Sequence, residues 1–134
     1  MSKSPDVSRL ENFCKGILKT DRAVRFAGIT NAMGSLLSTA YRSGLVPILE
    51  PEDTARYAVH TAMRAATRDD FESKLGRTVY VLARYPKLIR ATVTIGSQEK
   101  KHLLMVSFDI GSDFVGILDN KILPYLKRNE NLFK

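Results

Sequence analysis

The chain has 134 residues, 44% of them hydrophobic and 26% charged, which suits one folded domain and excludes a disordered or collagen-like chain. One cysteine, Cys14, excludes an internal disulfide, and the residues after Lys3 lack the apolar core of a secretory signal. A net charge of +7 is concentrated in residues 74–101, with seven basic side chains against one acidic, while residues 1–73 carry 10 against 9 and residues 102–134 four of each. Charge segregated in this way favours an acidic protein surface or a phosphate backbone as partner. The longest uncharged stretch, Phe26 to Tyr41, is 16 residues long and interrupted by Gly28, Thr30, Asn31, Gly34 and Ser35, too short and too polar for a membrane span. A cytoplasmic protein without membrane contact, forming one domain over residues 1–134, is the expectation.

In chain order, the spacing predicts a first helix over residues 5–19. Ser4 serves as its cap, Pro5 takes the first helical position, and Val7, Leu10, Phe13, Cys14, Ile17 and Leu18 form an apolar stripe. Strand-like runs follow at 24–31 and 35–42, joined by Ala32-Met33-Gly34, with Gly34 available for positive φ. Gly28 inside the first run predicts close approach by another backbone or a packed helix. An apolar loop, Gly44–Leu49, leads to a second helix over 51–75. Glu52 and Asp53 complement its dipole, Gly76 stops it, and Ala55, Ala58, Val59, Ala62, Met63 and Ala66 are its expected buried face. The period then changes to two. Val79, Val81, Ala83 and Tyr85 alternate with Thr78, Tyr80, Leu82 and Arg84; Ile89, Ala91, Val93 and Ile95 alternate with Arg90, Thr92 and Thr94. Leu104, Val106, Phe108 and Ile110 continue the buried side, which predicts a three-stranded antiparallel meander with one face covered. Val115, Leu118, Ile122 and Leu126 predict a last helix, short or kinked by Pro124 and continuous around 122–128.

The fold class this order implies is α+β: a five-stranded antiparallel sheet with helices, α-β-β-α-β-β-β-α. With Ile17-Leu18-Lys19 followed by Val24-Arg25-Phe26-Ala27-Gly28-Ile29, and Phe71-Glu72-Ser73-Lys74-Leu75-Gly76 closing the second helix, the chain resembles the Roadblock/LC7 domains of the profilin-like superfamily, and a set of small archaeal proteins. The resemblance covers residues 6–128 in element order. It implies a non-enzymatic adaptor that binds protein, forms a homodimer, and regulates or scaffolds a small GTPase. PAS-like domains share the general shape, so a small-molecule sensor is a further alternative, one that would need a buried polar group inside a pocket.

No phosphate-loop or dinucleotide motif occurs, and Cys14, His60 and His102 fall on separate elements without ligand spacing. No catalytic residue, metal site or cofactor is expected, and Cys14 reads as a core thiol. On the second helix, Glu52, Arg56, His60, Arg64, Arg68 and Glu72 recur every four residues, either as a solvated face with Glu52–Arg56 and Arg68–Glu72 pairs or as a nucleic-acid ridge. The candidate partner surface comprises Leu45, Val46, Ile48, Leu49, Arg56, Arg64 and Arg68; the loop members alternatively tuck under the sheet. The candidate basic patch comprises Arg77, Arg84, Lys87, Arg90, Lys100 and Lys101, with Arg84 and Arg90 expected on one exposed face beside Tyr80, Thr92 and Thr94. This patch either binds nucleic acid or guards strand edges against aggregation.

Overall fold

In the computed structural model, which describes residues 6–134, a first helix α1 (Val7–Lys19) precedes a hairpin of β1 (Val24–Asn31) and β2 (Leu36–Tyr41). Two helices follow, α2 (Pro51–Asp69) and α3 (Glu72–Leu75), and then a meander of β3 (Tyr80–Arg84), β4 (Ile89–Ile95) and β5 (His102–Phe108). The chain ends in α4 (Phe114–Ile117), a π-helical turn (Leu118–Ile122), α5 (Leu123–Arg128) and a 3-10 turn (Glu130–Phe133). All five strands form one antiparallel sheet in the order β2-β1-β5-β4-β3. The α+β class and the element order therefore stand as expected.

Ser4 and Pro5 lie outside the described residues. Asp6 caps α1, its carboxylate accepting from the backbone N–H groups of Ser8 at 2.8 Å and Arg9 at 3.3 Å. Leu10, Phe13, Cys14 and Ile17 of α1 pack on the side of the sheet that presents Ala27, Ile29, Val93, Leu104, Val106 and Phe108. Ile117, Leu118, Ile122 and Phe133 of the C-terminal segment complete this layer. Each large side chain buried there contributes about 1.5–3 kcal/mol. The Tyr125 hydroxyl donates to the Phe13 carbonyl at 3.0 Å, fastening the segment to α1. Pro124 lacks the N–H a continuous α-helix needs, and the π-helical turn just before it absorbs the irregularity, so the last helix comes in short pieces, with α5 spanning Leu123–Arg128.

The opposite side of the sheet is covered as well, which corrects the expectation of one covered face. Phe26 and Met105 are buried there beneath Ala58 of α2, with Leu36 and Tyr57 beside them. Every residue of β5 is buried, because this central strand meets a layer on both sides. Ile110, expected to continue that strand, lies beyond its end and is exposed.

The second helix ends at Asp69, where the Phe71 N–H donates to the Arg68 carbonyl at 3.1 Å and closes a tight turn; the remainder of the expected helix is the separate α3. Its buried face is also rotated. Thr54, Ala58, Thr61 and Ala62 face inward, whereas Ala55, Val59, Met63 and Ala66 are turned to solvent. Thr61 donates its hydroxyl to the Tyr57 carbonyl at 2.8 Å and Thr54 to the Glu50 carbonyl at 3.2 Å, so both can be buried without an unmet polar group. Gly34 sets how close α2 comes. It has φ +87°, and a Cβ added there would lie 2.7 Å from the Val59 Cα and 2.9 Å from the Ala58 carbonyl oxygen. The close helix approach expected at Gly28 thus occurs at Gly34; over Gly28 lies the ring of Phe26.

Candidate functional site

The apolar loop between β2 and α2 is half tucked and half displayed. Leu45 and Leu49 are half-buried, whereas Val46 and Ile48 are exposed. Beside it on α2, Arg56 pairs with Asp53 at 3.2 Å and Arg64 lies 5.6 Å from the centre of the Tyr57 ring. Arg68 is only partly exposed. Spacing of four residues advances about 40° per step around a 3.6-residue helix, so a stripe that faces solvent at Arg56 has wound back toward the sheet by Arg68. Glu72 accepts from the Gln98 amide at 2.8 Å instead of pairing with Arg68.

The basic residues of the meander are dispersed. Arg84 pairs in register with Ile89 and therefore shares the α1 side of the sheet with Tyr80, whereas Arg90, opposite Ala83 and Ser107, lies on the α2 side. The single exposed face expected for Arg84 and Arg90 does not form. Lys101 is largely buried, its ammonium 2.7 Å from both carboxylate oxygens of Asp69, and Lys100 donates to the Lys134 carbonyl at 2.8 Å. Arg77 and Lys100 do line one shallow groove together with Lys127 and Lys134. Lys87 sits at a different place, beside Arg90.

Arg90 occupies a setting that its polar strand position did not foretell. It is 7% exposed, with its guanidinium carbon 4.4 Å from the centre of the Tyr57 ring and 5.4 Å from that of Phe26. Its Nη1 is buried and has no hydrogen-bond partner among the described residues, and Arg90 takes part in none of their ion pairs. Burial pulls this guanidinium below its ordinary value, against the opposing pull of Tyr57, Tyr85 and Tyr41, yet an arginine keeps its charge at neutral pH. Arg90 also borders a cavity of about 310 Å³ whose exposed wall is almost wholly apolar, with Ile48, Leu49, Leu88, Tyr57 and Tyr85 around it. The two tyrosine hydroxyls lie 3.0 Å apart. Burial, then the hydrogen bond with Tyr85, push the Tyr57 phenol up to about 12, so it stays neutral. The cavity joins three segments, namely the 45–49 loop, the first turns of α2 and the β3–β4 hairpin. Sequence spacing reveals no such convergence.

Elsewhere, Asp109 gathers Arg25 at 3.1 Å and Arg42 at 2.7 Å, clamping β1, the end of β2 and the end of β5. His60 is exposed on α2, His102 is buried in β5 and Cys14 is buried in the core. Among the described residues no group of three or more histidine, cysteine, aspartate or glutamate side chains is placed to hold a metal ion, and no helix is long and apolar enough to cross a membrane.

Solved structures share this architecture. It superposes on the gliding protein MglB of Thermus thermophilus with a TM-score of 0.70 at 18% identity, over 99% of this chain and 90% of that one. An MglB in a tetrameric arrangement gives 0.76 at 17% identity, over 99% and 93%. The Roadblock/LC7 domain of Streptomyces avermitilis gives 0.68 at 12% identity, over 92% and 98%. The chain is thus an α+β domain with the Roadblock/LC7 fold. It is similar to the MglB structures along almost its whole length, while no protein-family model and no curated protein matches its sequence.

Proposed function

We propose that the chain is a non-enzymatic adaptor or regulatory domain that acts by binding proteins, associating with a second copy of itself and engaging a component of a small GTPase system. The observation that carries this reading is the solvent-facing stripe of α2, where Val59 is 43% and Met63 63% exposed between Ala55 and Ala66. Contiguous exposed apolar side chains mark interaction surfaces. Phe71 and Leu75 of the α2–α3 segment are exposed as well, as is Val79 just before β3, and β3 is an edge strand that pairs only with β4 among the described residues. An open sheet edge and an apolar helix face each suit a second copy, which can extend the sheet or cover the helix. The similarity to a tetrameric MglB supports self-association.

Val46 and Ile48, exposed in the loop before α2, then remain for the partner. Affinity purification from the native source, with and without nuclease, tests this part. The wild type should retain a GTP-binding protein regardless of nuclease, and Val46→Asp should lose it. Retention of nuclease-sensitive material alone would contradict the reading. The basic side chains offer no continuous phosphate track among the described residues, so nucleic-acid binding is the less supported alternative.

A further inference from the structure

A second cavity, of about 350 Å³, opens between α1 and the C-terminal segment, and its exposed wall is more polar than apolar. Arg9 of α1 and Arg128 of α5 both line it, with Asn12 and Asn131 beside them, and no acidic residue is part of its wall among the described residues. Both arginines are exposed, and neither takes part in an ion pair among the described residues. Residues 1–5, outside them, contain no acidic side chain. Two cations that face one cavity repel each other, and an anion between them turns that repulsion into attraction.

The two elements are held together independently of any occupant. The Tyr125 hydroxyl donates to the Phe13 carbonyl at 3.0 Å, the two rings lie 5.3 Å apart, and the Asn129 amide donates to the Tyr125 carbonyl at 2.8 Å. Gly16 permits this approach, because a Cβ there would collide with the Tyr125 hydroxyl. The Arg128 guanidinium carbon lies 5.9 Å from the centre of the anchored Tyr125 ring, and stacking on a ring leaves the donors in the guanidinium plane available.

The charge and the donors select the ligand. A carboxylate has one charge and two oxygens, enough for one guanidinium fork. A phosphate monoester carries about two charges at neutral pH and presents three acceptor oxygens, enough for both. The volume falls in the range of small-molecule sites, roughly 300–1,000 Å³, and Tyr125 and Leu132 give the wall an apolar part for an organic body. We infer that this cavity binds a small organic phosphate monoester, its phosphate held between Arg9 and Arg128 and its body resting against Tyr125 and Leu132. The site lies on the α1 side of the sheet and shares no residue with the outer stripe of α2, so it is independent of self-association.

The test is titration of the full-length protein with phenyl phosphate, inorganic phosphate and benzoate, followed by calorimetry and by backbone amide chemical shifts. Phenyl phosphate should saturate at one per chain, with shifts centred on residues 9–13 and 125–132, and should bind several-fold more tightly than inorganic phosphate. Benzoate, with the same ring and a single charge, should bind about ten-fold more weakly or worse. Arg9→Gln and Arg128→Gln should each bring phenyl phosphate down to the level of benzoate. Asn131→Asp, which keeps both arginines and adds a negative charge to the wall, should also weaken it. Lys127→Gln removes a neighbouring cation that lines a different groove and should change nothing. Equal binding of phenyl phosphate and either control, shifts centred elsewhere, a loss with Lys127→Gln as large as with Arg128→Gln, or no saturation at millimolar concentration would overturn the proposal.

Discussion

Cys14 sits wholly inside the core, its Sγ 4.0 Å from the Ser38 carbonyl, and burial pushes its thiol up to about 11. A thiol with that value is protonated and out of reach at neutral pH. A disulfide-exchange reagent should therefore leave Cys14 unmodified in the native protein and label it completely in denaturant; rapid native labelling would show that the core opens. Acid acts through other residues. The hydrogen bond from Arg42, with help from Arg25, holds the Asp109 carboxyl below the usual carboxylate range. The folded state then takes up this proton less readily than the unfolded chain does, so the contribution is complete above about pH 4 and is lost as pH falls through the folded value. Burial likewise lowers His102, whose unfolded form protonates first below about pH 6.5, so mild acid already erodes stability. Denaturation against pH should show both losses, and Asp109→Asn should flatten the steeper acid limb. The basic character of Arg90 was legible in the sequence, but its burial was not. Strand alternation marks Arg90 as opposite to Ile89 and Ala91, and that side becomes an interior only because α2 covers it.

Among the elements, the β1–β2 hairpin was the most legible, because β-branched and aromatic residues bounded by Asn31 and Gly34 leave few other options. Gly34→Ala should destabilise the protein by about 1–3 kcal/mol in thermal or chemical denaturation, since the new Cβ combines an unfavourable φ with a clash against the α2 backbone. A neutral result would mean that α2 is not seated on this turn. For α2 the existence of the helix was legible and its orientation was not. Apolarity pointed to Val59 and Met63 as core, while the true inner face uses Thr54 and Thr61, whose hydroxyls are satisfied by carbonyls at Glu50 and Tyr57, one turn back along the chain. Residues that look like core and lie outside are what an interface requires. The side assignment of β3 was equally ambiguous, since Val79, Val81 and Ala83 on one parity compete with Tyr80 and Leu82 on the other. Register with β4 places Tyr80 and Leu82 on the α1 side, opposite Val93 and Ala91.

At the scale of the molecule, the sheet has two edges, β2 and β3, and α2 carries an exposed apolar stripe on its outer face. The charge excess of residues 74–101 does not make one field, because Arg84 and Arg90 lie on opposite sides and Lys101 is neutralised by Asp69. Dispersed cations and an exposed apolar helix stripe fit a protein partner better than a phosphate backbone. The proposed assembly depends on α2 and the β3 edge being covered by a second copy. Sedimentation velocity of the wild type and of Met63→Glu over micromolar concentrations tests this most directly. The wild type should sediment as a dimer or larger assembly, and Met63→Glu as a folded monomer with unchanged circular dichroism. A wild type that remains monomeric throughout, or a Met63→Glu variant that assembles like it, would contradict that assembly.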